Sequence, residues 1–510
     1  MNKSAAVYDR WLFTLGGGEQ VAFAYAETLR DLGYTTYLLT NKQFNTHQAE
    51  QKMDVDLTNI NIVYLPVLSS KELSQYSEKY DVFINTSYLD YFANRSKLGI
   101  LSVFFPGQIF LTPYEYLKRA LVLPSFRSFF IYPSRFEGFR FDEFYRGKMY
   151  KWLGKESSIV FNSNIGSLSL SFYIKTVSFS LLENIAFYLE NQRVEPSRRV
   201  LDHYHDIITF YFQLPQTKHK RFIIELPDLP YTDTVALVSL TISSWRFALY
   251  NLFKRLFPKW EMRLHGGPGI TKRSDLESYQ QIITISKYCQ NWIRRYWGLT
   301  SSVIYPSVNI KAFTPAKKKK NHIINIGRFF VTGHNKKQLD MIKMFIRLIK
   351  NHRIQDWQLH LIGSVQEGQR HREYFEQCQF EAKGFPIYFH IDISFVELKQ
   401  RLNEAKIYWH ATGLDENPEK NPVLFEHFGI TTVEAMAAGC VPVVINRGGQ
   451  PEIVTEGTGF VYQTRPECLA HTMQLINSPK TLKDYSQRAR ARSQYFSREK
   501  FRQRFLELLN

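Results

Sequence analysis

The sequence predicts an α/β fold of parallel sheets, interrupted by a β-rich segment in the middle of the chain. Strand and helix patterns alternate before residue 110 and again after residue 320, which implies doubly wound parallel sheets. Between residues 157 and 243 the strand patterns follow one another with Pro and Asp turns, which is typical of antiparallel pairing. A chain of 510 residues also exceeds the size of one hydrophobic core, so two or three domains are expected.

The first α/β region opens with a strand, a glycine-rich turn and a helix. The turn lies within Leu15–Glu19, and apolar residues at helical spacing follow it up to Gly33. Further strands are predicted at Thr35–Thr40, Ile60–Leu65, Val82–Asn85 and Ile100–Phe104.

Two stretches rich in basic and aromatic residues flank the β-rich part of the chain. The first is Pro124–Gly154 and the second is Trp245–Arg263. The second carries five basic residues and one acidic residue, with aromatic residues gathered at helical spacing. Such a helix is typical of a membrane interface. The alternative is a surface helix docked on the protein's own core.

The second α/β region follows the run Lys317–Lys320, which we interpret as a solvated linker at a domain boundary. Strands are predicted at Ile323–Ile326, Trp357–Ile362, Tyr388–Ile391 and Ile407–His410, with a helix at Phe395–Ala405. The predicted parts are residues 1–123 (N-terminal domain), 124–270 (insertion), 271–316 (return to the N-terminal domain), 317–480 (C-terminal domain) and 481–510 (C-terminal helix).

Charge and composition narrow the classes of partner. The 65 Lys and Arg residues against 47 Asp and Glu residues give a formal net charge of +18, which points to a polyanion or an anionic membrane surface. Nucleic acid is excluded as a partner because no nucleic-acid-binding motif accompanies the charge. Four scattered cysteines, a poor signal peptide and the lack of about 18 consecutive apolar residues predict a cytoplasmic protein without a spanning helix.

The segment from Glu426 to Gly439 carries the most chemistry. Glu426 and Glu434 lie eight residues apart across a predicted loop-to-helix junction, and Gly429 between them allows a close backbone approach. Exposed amides at a helix N-terminus bind anions, and a carboxylate beside them binds hydroxyl groups. The segment therefore predicts a site for a nucleotide sugar.

Further motifs in a fixed order extend this signal. They are Gly16-Gly17-Gly18-Glu19, Tyr305-Pro306, Gly327-Arg328 with Lys337-Gln338, Trp409-His410-Ala411-Thr412-Gly413 and Gly448-Gly449-Gln450-Pro451-Glu452. Over residues 7–110 and 275–480 the chain resembles the family 4 retaining glycosyltransferases. The resemblance implies the GT-B fold, which has two Rossmann-like domains, with the β-rich insertion in the N-terminal one.

The resemblance assigns three catalytic residues. Arg328 and Lys337 correspond to the Arg and Lys that neutralise the departing diphosphate of the donor, and Lys336 is an open alternative for the lysine. Glu426 corresponds to the glutamate that holds hydroxyls of the donor sugar close to the reacting carbon. No metal and no cofactor are expected, since the nucleotide sugar is a substrate.

Substrate-binding residues are implied around this set. They are Phe428, Gly429 and Ile430 through backbone amides, Gly16, Gly17 and Gly18 through close backbone approach, Glu434 through the ribose hydroxyls, and His410 at the cleft wall. Three alternatives stay open. Thr431-x-x-Glu434 is also a capping box, the glycine triplet is also an ordinary tight turn, and His410 is also a candidate core histidine.

One position departs from the family pattern. Val103-Phe104-Phe105-Pro106 places Phe104 where many relatives have a histidine close to the transferring sugar, so we assign no catalytic histidine. Asp54-Val55-Asp56 has the form of a metal-binding motif, but it lies in a polar stretch and we interpret it as chance.

These residues predict a retaining hexosyltransferase that moves mannose, or alternatively glucose, from a nucleotide sugar to an acceptor hydroxyl. The two-glutamate segment is similar to that of mannosyltransferases of lipid-linked oligosaccharide synthesis. This similarity favours a lipid-linked or membrane-borne glycan acceptor and a peripheral place on the cytoplasmic membrane face. A soluble acceptor is the alternative within enzymes. A non-catalytic carbohydrate- or partner-binding protein on a decayed transferase core is the alternative from another class.

Overall fold

A computed structural model describes residues 3–65, 68–107, 123–145, 148–174, 185–202, 206–215, 220–226, 235–257, 271–331, 333–352, 354, 356–366 and 368–509. The chain forms two compact units. The first comprises Met1–Phe110, Thr271–Gln366 and Glu373–Asn510, and the second comprises Leu111–Ile270 and Glu367–Arg372. The first unit contains two parallel sheets, so the prediction of an α/β fold with parallel sheets is confirmed.

The N-terminal part of the first unit alternates strands and helices. In chain order they are β1 (Ser4–Tyr8), α1 (Gly17–Asp31), β2 (Thr35–Thr40), α2 (Thr46–Met53), β3 (Ile60–Tyr64), α3 (Ser70–Ser77), β4 (Val82–Asn85) and β5 (Leu98–Val103).

The second unit contains two helices and nine strands among its described residues. In chain order they are α4 (Leu123–Phe129), β6 (Pro133–Tyr145), β7 (Lys148–Phe161), β8 (Ser167–Ile174), β9 (Ala186–Leu189), β10 (Gln192–Arg193), β11 (Arg198–Asp202), β12 (Ile207–Gln213), β13 (Arg221–Glu225), β14 (Val235–Ile242) and α5 (Trp245–Leu256). The strands form one antiparallel sheet in the order β10-β9-β13-β7-β14-β8-β12-β11, and β6 pairs with β7. Side chains alternate between a buried and a more exposed face along β8 and β12, which is the pattern of a sheet with one covered face.

The chain then returns to the first sheet. The returning elements are α6 (Arg273–Glu277), β15 (Gln281–Thr284), α7 (Lys287–Trp297) and β16 (Ser302–Val303). They complete a seven-stranded parallel sheet with the order β16-β15-β5-β4-β1-β2-β3. The strands are parallel, so the loop that follows β1 lies at the carboxyl edge of the sheet. Open α/β sheets bind ligands at that edge.

The second parallel sheet follows. Its elements and the helices after it are β17 (Lys320–Ile326), α8 (Gln338–His352), β18 (Gln358–Gly363), α9 (Gln369–Glu381), β19 (Ile387–Ile391), α10 (Phe395–Glu404), β20 (Ala405–His410), α11 (Ile430–Ala437), β21 (Val441–Ile445), α12 (Gln450–Ile453), β22 (Phe460–Tyr462), α13 (Arg465–Asn477), α14 (Pro479–Ser493) and α15 (Arg498–Leu509). The six strands have the order β19-β18-β17-β20-β21-β22.

Polar N-caps fix the starts of several helices. The capping side chains of α2, α3, α7, α10 and α13 are Asn45, Ser69, Ser286, Ser394 and Thr464. Each accepts a hydrogen bond from the amide three residues further along the chain, which has no intrahelical partner. Local sequence therefore sets these boundaries.

The interpretation of the lysine run as a solvated linker is wrong for Lys319, which is bonded to the protein. Its ammonium group donates to the carbonyl oxygens of Ala405, Ala438 and Asn403 at 2.6, 2.8 and 3.2 Å. These carbonyls lie at the ends of α10 and α11, where a helix leaves carbonyls without partners. Burial lowers the pKa of Lys319. The neighbouring Lys318 is exposed.

The tail of the chain forms two helices and packs on the first sheet. Phe501 and Phe505 of α15 are buried, with ring centroids 5.1 and 4.9 Å from that of Tyr25 in α1. The last helix thus adds to the apolar core that covers the first sheet. In the described part of the chain, no helix is both long enough and apolar enough to cross a membrane.

Candidate active site

The glycine-rich turn connects β1 to α1 and reaches the second parallel sheet. Gly16 is the N-cap of α1, and its amide donates to Glu19 Oε2 at 2.6 Å. A Cβ on Gly17 would lie 3.2 Å from Cδ1 of Ile430, the first residue of α11. The missing side chain therefore lets the turn approach the start of a helix that belongs to the other sheet.

Phe104 lies against the same turn. A Cβ on Gly18 would be 3.3 Å from the Phe104 ring. The Phe104 carbonyl accepts a hydrogen bond from Cys289 Sγ at 2.9 Å. Many members of the family that the sequence resembles have a histidine at this position. Here an apolar ring, which cannot exchange protons, occupies it.

A glycine pair holds the backbone of Glu426. The Gly449 amide donates to the Glu426 carbonyl at 2.8 Å, and a Cβ on Gly448 would lie 2.2 Å from that carbonyl oxygen. Gly448 has a φ of 62°, in the left-handed region that favours glycine. The backbone of Glu426 can lie this close to Gly448 and Gly449 because neither residue has a side chain.

The Glu426 side chain bonds two groups through one oxygen. Lys336 Nζ lies 2.5 Å from Glu426 Oε2, and His410 Nε2 lies 3.3 Å from the same atom. Burial opposes ionisation, but the charge of Lys336 and the bond to His410 hold the pKa of Glu426 well below its usual range. Glu426 is therefore a carboxylate at neutral pH.

The loop from Gly327 to α8 determines which lysine meets Glu426. Lys336 makes that contact, whereas Lys337 Nζ lies 3.0 Å from Glu416 Oε1. Lys337 has a φ of 57°, so the backbone turns sharply between the two lysines and α8. A Cβ on Gly327 would lie 2.5 Å from Lys336 Cγ, so glycine makes room for the lysine stem.

Arg328 is exposed at the start of this loop. Its guanidinium lies 5.6 Å from the centroid of the Phe330 ring, and no carboxylate among the described residues forms an ion pair with it. Gln338 Nε2 donates to the carbonyls of Gly327 and Arg328 at 3.1 Å each, which fixes the loop backbone. The loop thus presents a cation without a described ion-pair partner close to Lys336 and Lys337.

Three histidines lie beside Glu426. His410 ends β20 and is 2% exposed, so it is both a core residue and a partner of Glu426. The His427 ring stacks on Phe105, with centroids 4.5 Å apart, and meets the edge of His334 at 4.5 Å. Burial lowers the pKa of all three histidines, so they are neutral near pH 7. His334 and His427 were missed from the sequence, although His427 directly follows Glu426.

The start of α11 lies directly after these residues. Gly429 is the N-cap with a φ of 122°, and Ile430 is the first helical residue. Phe428 is buried, with its ring 5.7 Å from Tyr305 and 5.4 Å from Phe496. The first amides of a helix have no intrahelical partner, so this end of α11 can bind an anion.

Glu434 lies in the second turn of α11. The capping-box alternative is wrong, because the N-cap is Gly429 and the third helical residue is Thr432. Burial raises the pKa of Glu434 to about 7. Within the described residues its carboxylate has no hydrogen-bond or ion-pair partner. The carboxyl group is therefore free to bind hydroxyl donors.

Glu452 joins the two parallel sheets of the first unit. Its carboxylate accepts hydrogen bonds from the amides of Lys287 and Tyr288, both at 2.8 Å, and from the Tyr305 hydroxyl at 3.0 Å. The two amides start α7, so a carboxylate beside the second sheet caps a helix of the first. Glu452 holds the helix from which Cys289 reaches the Phe104 carbonyl.

The Asp-x-Asp pattern takes part in ion pairs. Asp54 pairs with Arg498 at 3.5 Å, and Asp56 pairs with Arg30 at 3.0 Å. Among the described residues, no group of three His, Cys, Asp or Glu side chains has a metal-binding arrangement.

The part of the chain that forms the second sheet is similar to known transferases. Residues 308–492 match the family model described as "Glycosyl transferases group 1". The GDP-Man:Man(3)GlcNAc(2)-PP-Dol alpha-1,2-mannosyltransferase of Dictyostelium discoideum is 28% identical over 251 residues, covering 46% of this chain and 47% of that protein. The Mus musculus protein of the same name is 30% identical over 247 residues, covering 44% and 47%.

The chain spans a little under half the length of the curated relatives it matches. It carries a glycosyltransferase group 1 domain and is homologous to GDP-mannose α-1,2-mannosyltransferases. These matches support the prediction of a glycosyltransferase domain over residues 308–492, while family 4 membership and retention of configuration stay predictions.

Solved structures share the fold across the whole chain. Anabaena Alr3699/HepE in complex with UDP-glucose has a TM-score of 0.52 at 11% identity, covering 100% of this chain and 99% of that one. A glycosyltransferase from Rickettsia africae has a TM-score of 0.50 at 12% identity, covering 100% and 98%. At such low identity the likeness shows the fold alone.

Proposed function

We propose that the chain is a retaining glycosyltransferase that moves a hexose from a nucleotide sugar to an acceptor hydroxyl. The observation that carries the proposal is the ionised carboxylate of Glu426, 2.5 Å from Lys336 and close before the start of α11. In the reaction, the bond between the anomeric carbon and the diphosphate breaks. The acceptor oxygen bonds the same face of that carbon, and the acceptor proton leaves with the diphosphate.

The departing diphosphate needs positive charge where its negative charge develops. Arg328, Lys336 and Lys337 bring three cations to one loop, and the amides at the start of α11 add the positive end of a helix dipole. In this proposal Arg328 and Lys337 bind the diphosphate, and Lys336 joins them when the donor takes its place on Glu426. No metal and no cofactor are needed.

The reacting carbon develops positive charge as the diphosphate leaves. A carboxylate with a low pKa stays ionised, so Glu426 can accept bonds from sugar hydroxyls and stabilise that charge. His410 orients the carboxylate through its 3.3 Å contact. Glu434, which has no partner among the described residues, binds the ribose hydroxyls.

The donor is GDP-mannose and the acceptor is a lipid-linked or membrane-borne glycan on the cytoplasmic face of a membrane. The names of the curated relatives support both assignments, since they are GDP-Man-dependent and act on a PP-Dol-linked glycan. UDP-glucose is the alternative donor, and a soluble glycan is the alternative acceptor.

A thermal-shift screen with GDP-mannose, UDP-glucose and ADP-glucose tests the donor assignment. We expect GDP-mannose to raise the melting temperature most, because a ligand that binds only the folded state stabilises it. The Glu434→Gln variant serves as the control and should lose most of the shift. A larger shift with UDP-glucose would replace the donor, and no shift with any nucleotide sugar would contradict the proposal.

A non-catalytic binding protein is the second candidate, and Phe104 is the observation that favours it. The phenyl ring beside Gly18 supplies no group for proton transfer or hydrogen bonding. Donor hydrolysis separates the two functions, because a transferase releases sugar slowly to water even without acceptor. A protein that binds GDP-mannose but neither hydrolyses nor transfers it would support the second candidate.

A further inference from the structure

Helix α5 of the second unit has two apolar faces. Phe247 and Tyr250 face the core of that unit, and the Tyr250 ring stacks on Tyr132 with centroids 5.2 Å apart. This contact agrees with the sequence alternative of a helix docked on the protein's own core. It accounts for only one side of the helix.

Large apolar residues continue along the other side of α5. Trp245, Leu249, Leu252 and Leu256 follow the spacing i, i+4, i+7 and i+11, and they are 65, 39, 51 and 60% exposed. Contiguous exposed apolar residues are unfavourable in water and mark an interaction surface. The regular spacing shows that the exposed side is a continuous stripe along the helix.

Two phenylalanines extend the stripe. Phe257 is 50% exposed directly after α5, and Phe129 at the end of α4 is 46% exposed. The Phe129 ring meets the edge of Trp245, with centroids 5.8 Å apart. Arg246 donates to the carbonyls of Phe129 and Ser128, which fixes α4 against the start of α5. We call Phe129, Trp245, Leu249, Leu252, Leu256 and Phe257 the α5 face.

The charged residues within helix α5 itself are all basic. The charged residues of Trp245–Leu256 are Arg246, Lys254 and Arg255, and the helix contains no acidic residue. A protein partner would need an apolar groove with an acidic rim. An anionic bilayer combines an apolar interior, which takes apolar side chains, with negatively charged head groups, which attract Lys and Arg.

We propose that the α5 face docks the protein on an anionic lipid bilayer. Trp245 and the three leucines enter the boundary between head groups and acyl chains, while Arg255 lies at the level of the phosphates. The helix lies in the plane of the membrane and does not cross it. This inference deepens the membrane part of the proposed function, but it does not depend on catalysis.

Co-sedimentation of the full chain with lipid vesicles tests the proposal. One set of vesicles contains phosphatidylcholine alone, and the other contains phosphatidylcholine with phosphatidylserine. We expect binding to the anionic set, weakened by added salt because screening acts on the basic residues. Leu252→Asp combined with Leu256→Asp should weaken this binding roughly tenfold or more, because both leucines lose their apolar contact with lipid.

Matched variants separate docking from folding. Val396→Asp is the control, since Val396 is 71% exposed on a helix of the first unit. It should leave vesicle binding unchanged. Arg255→Glu should weaken binding to the anionic vesicles more than binding to the neutral ones. If the double variant melts earlier than wild type, Leu256→Ser at the last residue of α5 provides the milder test.

Three results would overturn the proposal. They are absence of wild-type binding to anionic vesicles, equal binding by the double variant, and a dimer in size-exclusion chromatography that the double variant dissociates. The last result would assign the α5 face to a second copy of the chain. Donor hydrolysis in solution tests the proposed transferase activity separately, because that assay requires no vesicles.

Discussion

At the scale of single residues, Glu426 has two partners on the same carboxylate oxygen. Lys336 Nζ and His410 Nε2 lie 2.5 and 3.3 Å from Oε2. In the proposed mechanism, sugar hydroxyls replace Lys336 on Glu426, and Lys336 then pairs with the diphosphate. This exchange would keep both charges compensated throughout the binding of the donor.

The proposed contact of Glu434 with the donor ribose should make donor binding depend on pH. Its pKa is about 7, so the carboxyl group is largely protonated at pH 6 and largely ionised at pH 8. Ribose hydroxyls donate to the ionised form, so binding releases a proton below the pKa. We predict that the affinity for GDP-mannose rises by up to about tenfold per pH unit below pH 7 and then levels off.

Isothermal titration across this pH range measures the effect. Glu434→Gln should bind more weakly and show no rise. An affinity that falls with pH in the wild type, or that rises equally in the variant, would show that Glu434 does not hold the ribose.

Lys319 predicts a loss of stability on substitution. Lys319→Met removes the ammonium donor from the carbonyls of Ala405, Ala438 and Asn403, so the free energy of unfolding should fall by about 1–3 kcal/mol. The Asn403 carbonyl keeps the amide of Ala316 as a donor. Urea denaturation measures the change. Lys318→Met is the matched control, since Lys318 is exposed, and it should stay within about 0.5 kcal/mol of wild type. Equal losses in both variants would refute the structural role of Lys319.

At the scale of elements, the loops after the strands carry the site. The loop with Gly448 and Gly449 supports Glu426, and the loop from Gly327 delivers Lys336. A Cβ on Gly448 would meet the Glu426 carbonyl oxygen, and a Cβ on Gly327 would meet the Lys336 side chain of the same loop. The position of the proposed catalytic groups therefore depends on backbone packing as well as on the groups themselves.

Gly448→Ala should damage both stability and turnover. The Cβ would lie 2.2 Å from the Glu426 carbonyl oxygen and would force the loop away. A displacement of the carboxylate by about 1 Å can cost about 100-fold in turnover. Gly384→Ala is the control, because Gly384 also has a positive φ but a Cβ there would meet no atom within 4 Å. It should lose about 1 kcal/mol of stability and keep its turnover.

Melting temperature and initial rate measure these two effects. Full turnover in Gly448→Ala would show that the loop does not position Glu426.

The sequence predicted the parallel sheets better than the antiparallel one. Thr35–Thr40 and Val82–Asn85 were predicted with the observed bounds, because short apolar runs between turns are typical of buried parallel strands. The hairpin of β6 and β7 was not predicted. Its register shifts between Glu137 and Phe139, and again further along, so the two-residue alternation that identifies a strand is broken.

The site was predictable in its residue types but not in its contacts. Motif order indicated Glu426, and the structure places it beside Lys336, which the sequence could not separate from Lys337. The choice depends on the left-handed backbone of Lys337, a conformation that sequence does not reveal for a lysine. The bond from Glu452 to the start of α7 was also hidden, because it joins residues far apart in the chain.

At the scale of the whole molecule, the first and last helices of the first unit pack against each other. The last helix, α15, packs on α1 through Phe501 and Phe505, although the two helices lie at opposite ends of the sequence. Helix α1 carries the glycine-rich turn at its start. The end of the chain therefore supports the element that faces Ile430 in the candidate site.

Phe505→Ala should destabilise the first unit. The fully buried ring loses its contact with Tyr25, and the cavity should lower the free energy of unfolding by about 3–5 kcal/mol. Glu507→Ala, on an exposed position of the same helix, should stay within about 0.5 kcal/mol of wild type. Denaturant unfolding followed by circular dichroism compares the two. A neutral Phe505→Ala would mean that α15 is not part of this core.

The most direct test is the transfer of labelled mannose from GDP-mannose to a lipid-linked glycan by the wild type, Glu426→Gln and Glu419→Gln. Glu419 is exposed and pairs with Arg295, so its variant controls for loss of a carboxylate. We predict turnover in the wild type and in Glu419→Gln, with at least about a 100-fold loss in Glu426→Gln while that variant keeps its circular-dichroism spectrum. Near wild-type turnover in Glu426→Gln would contradict the account.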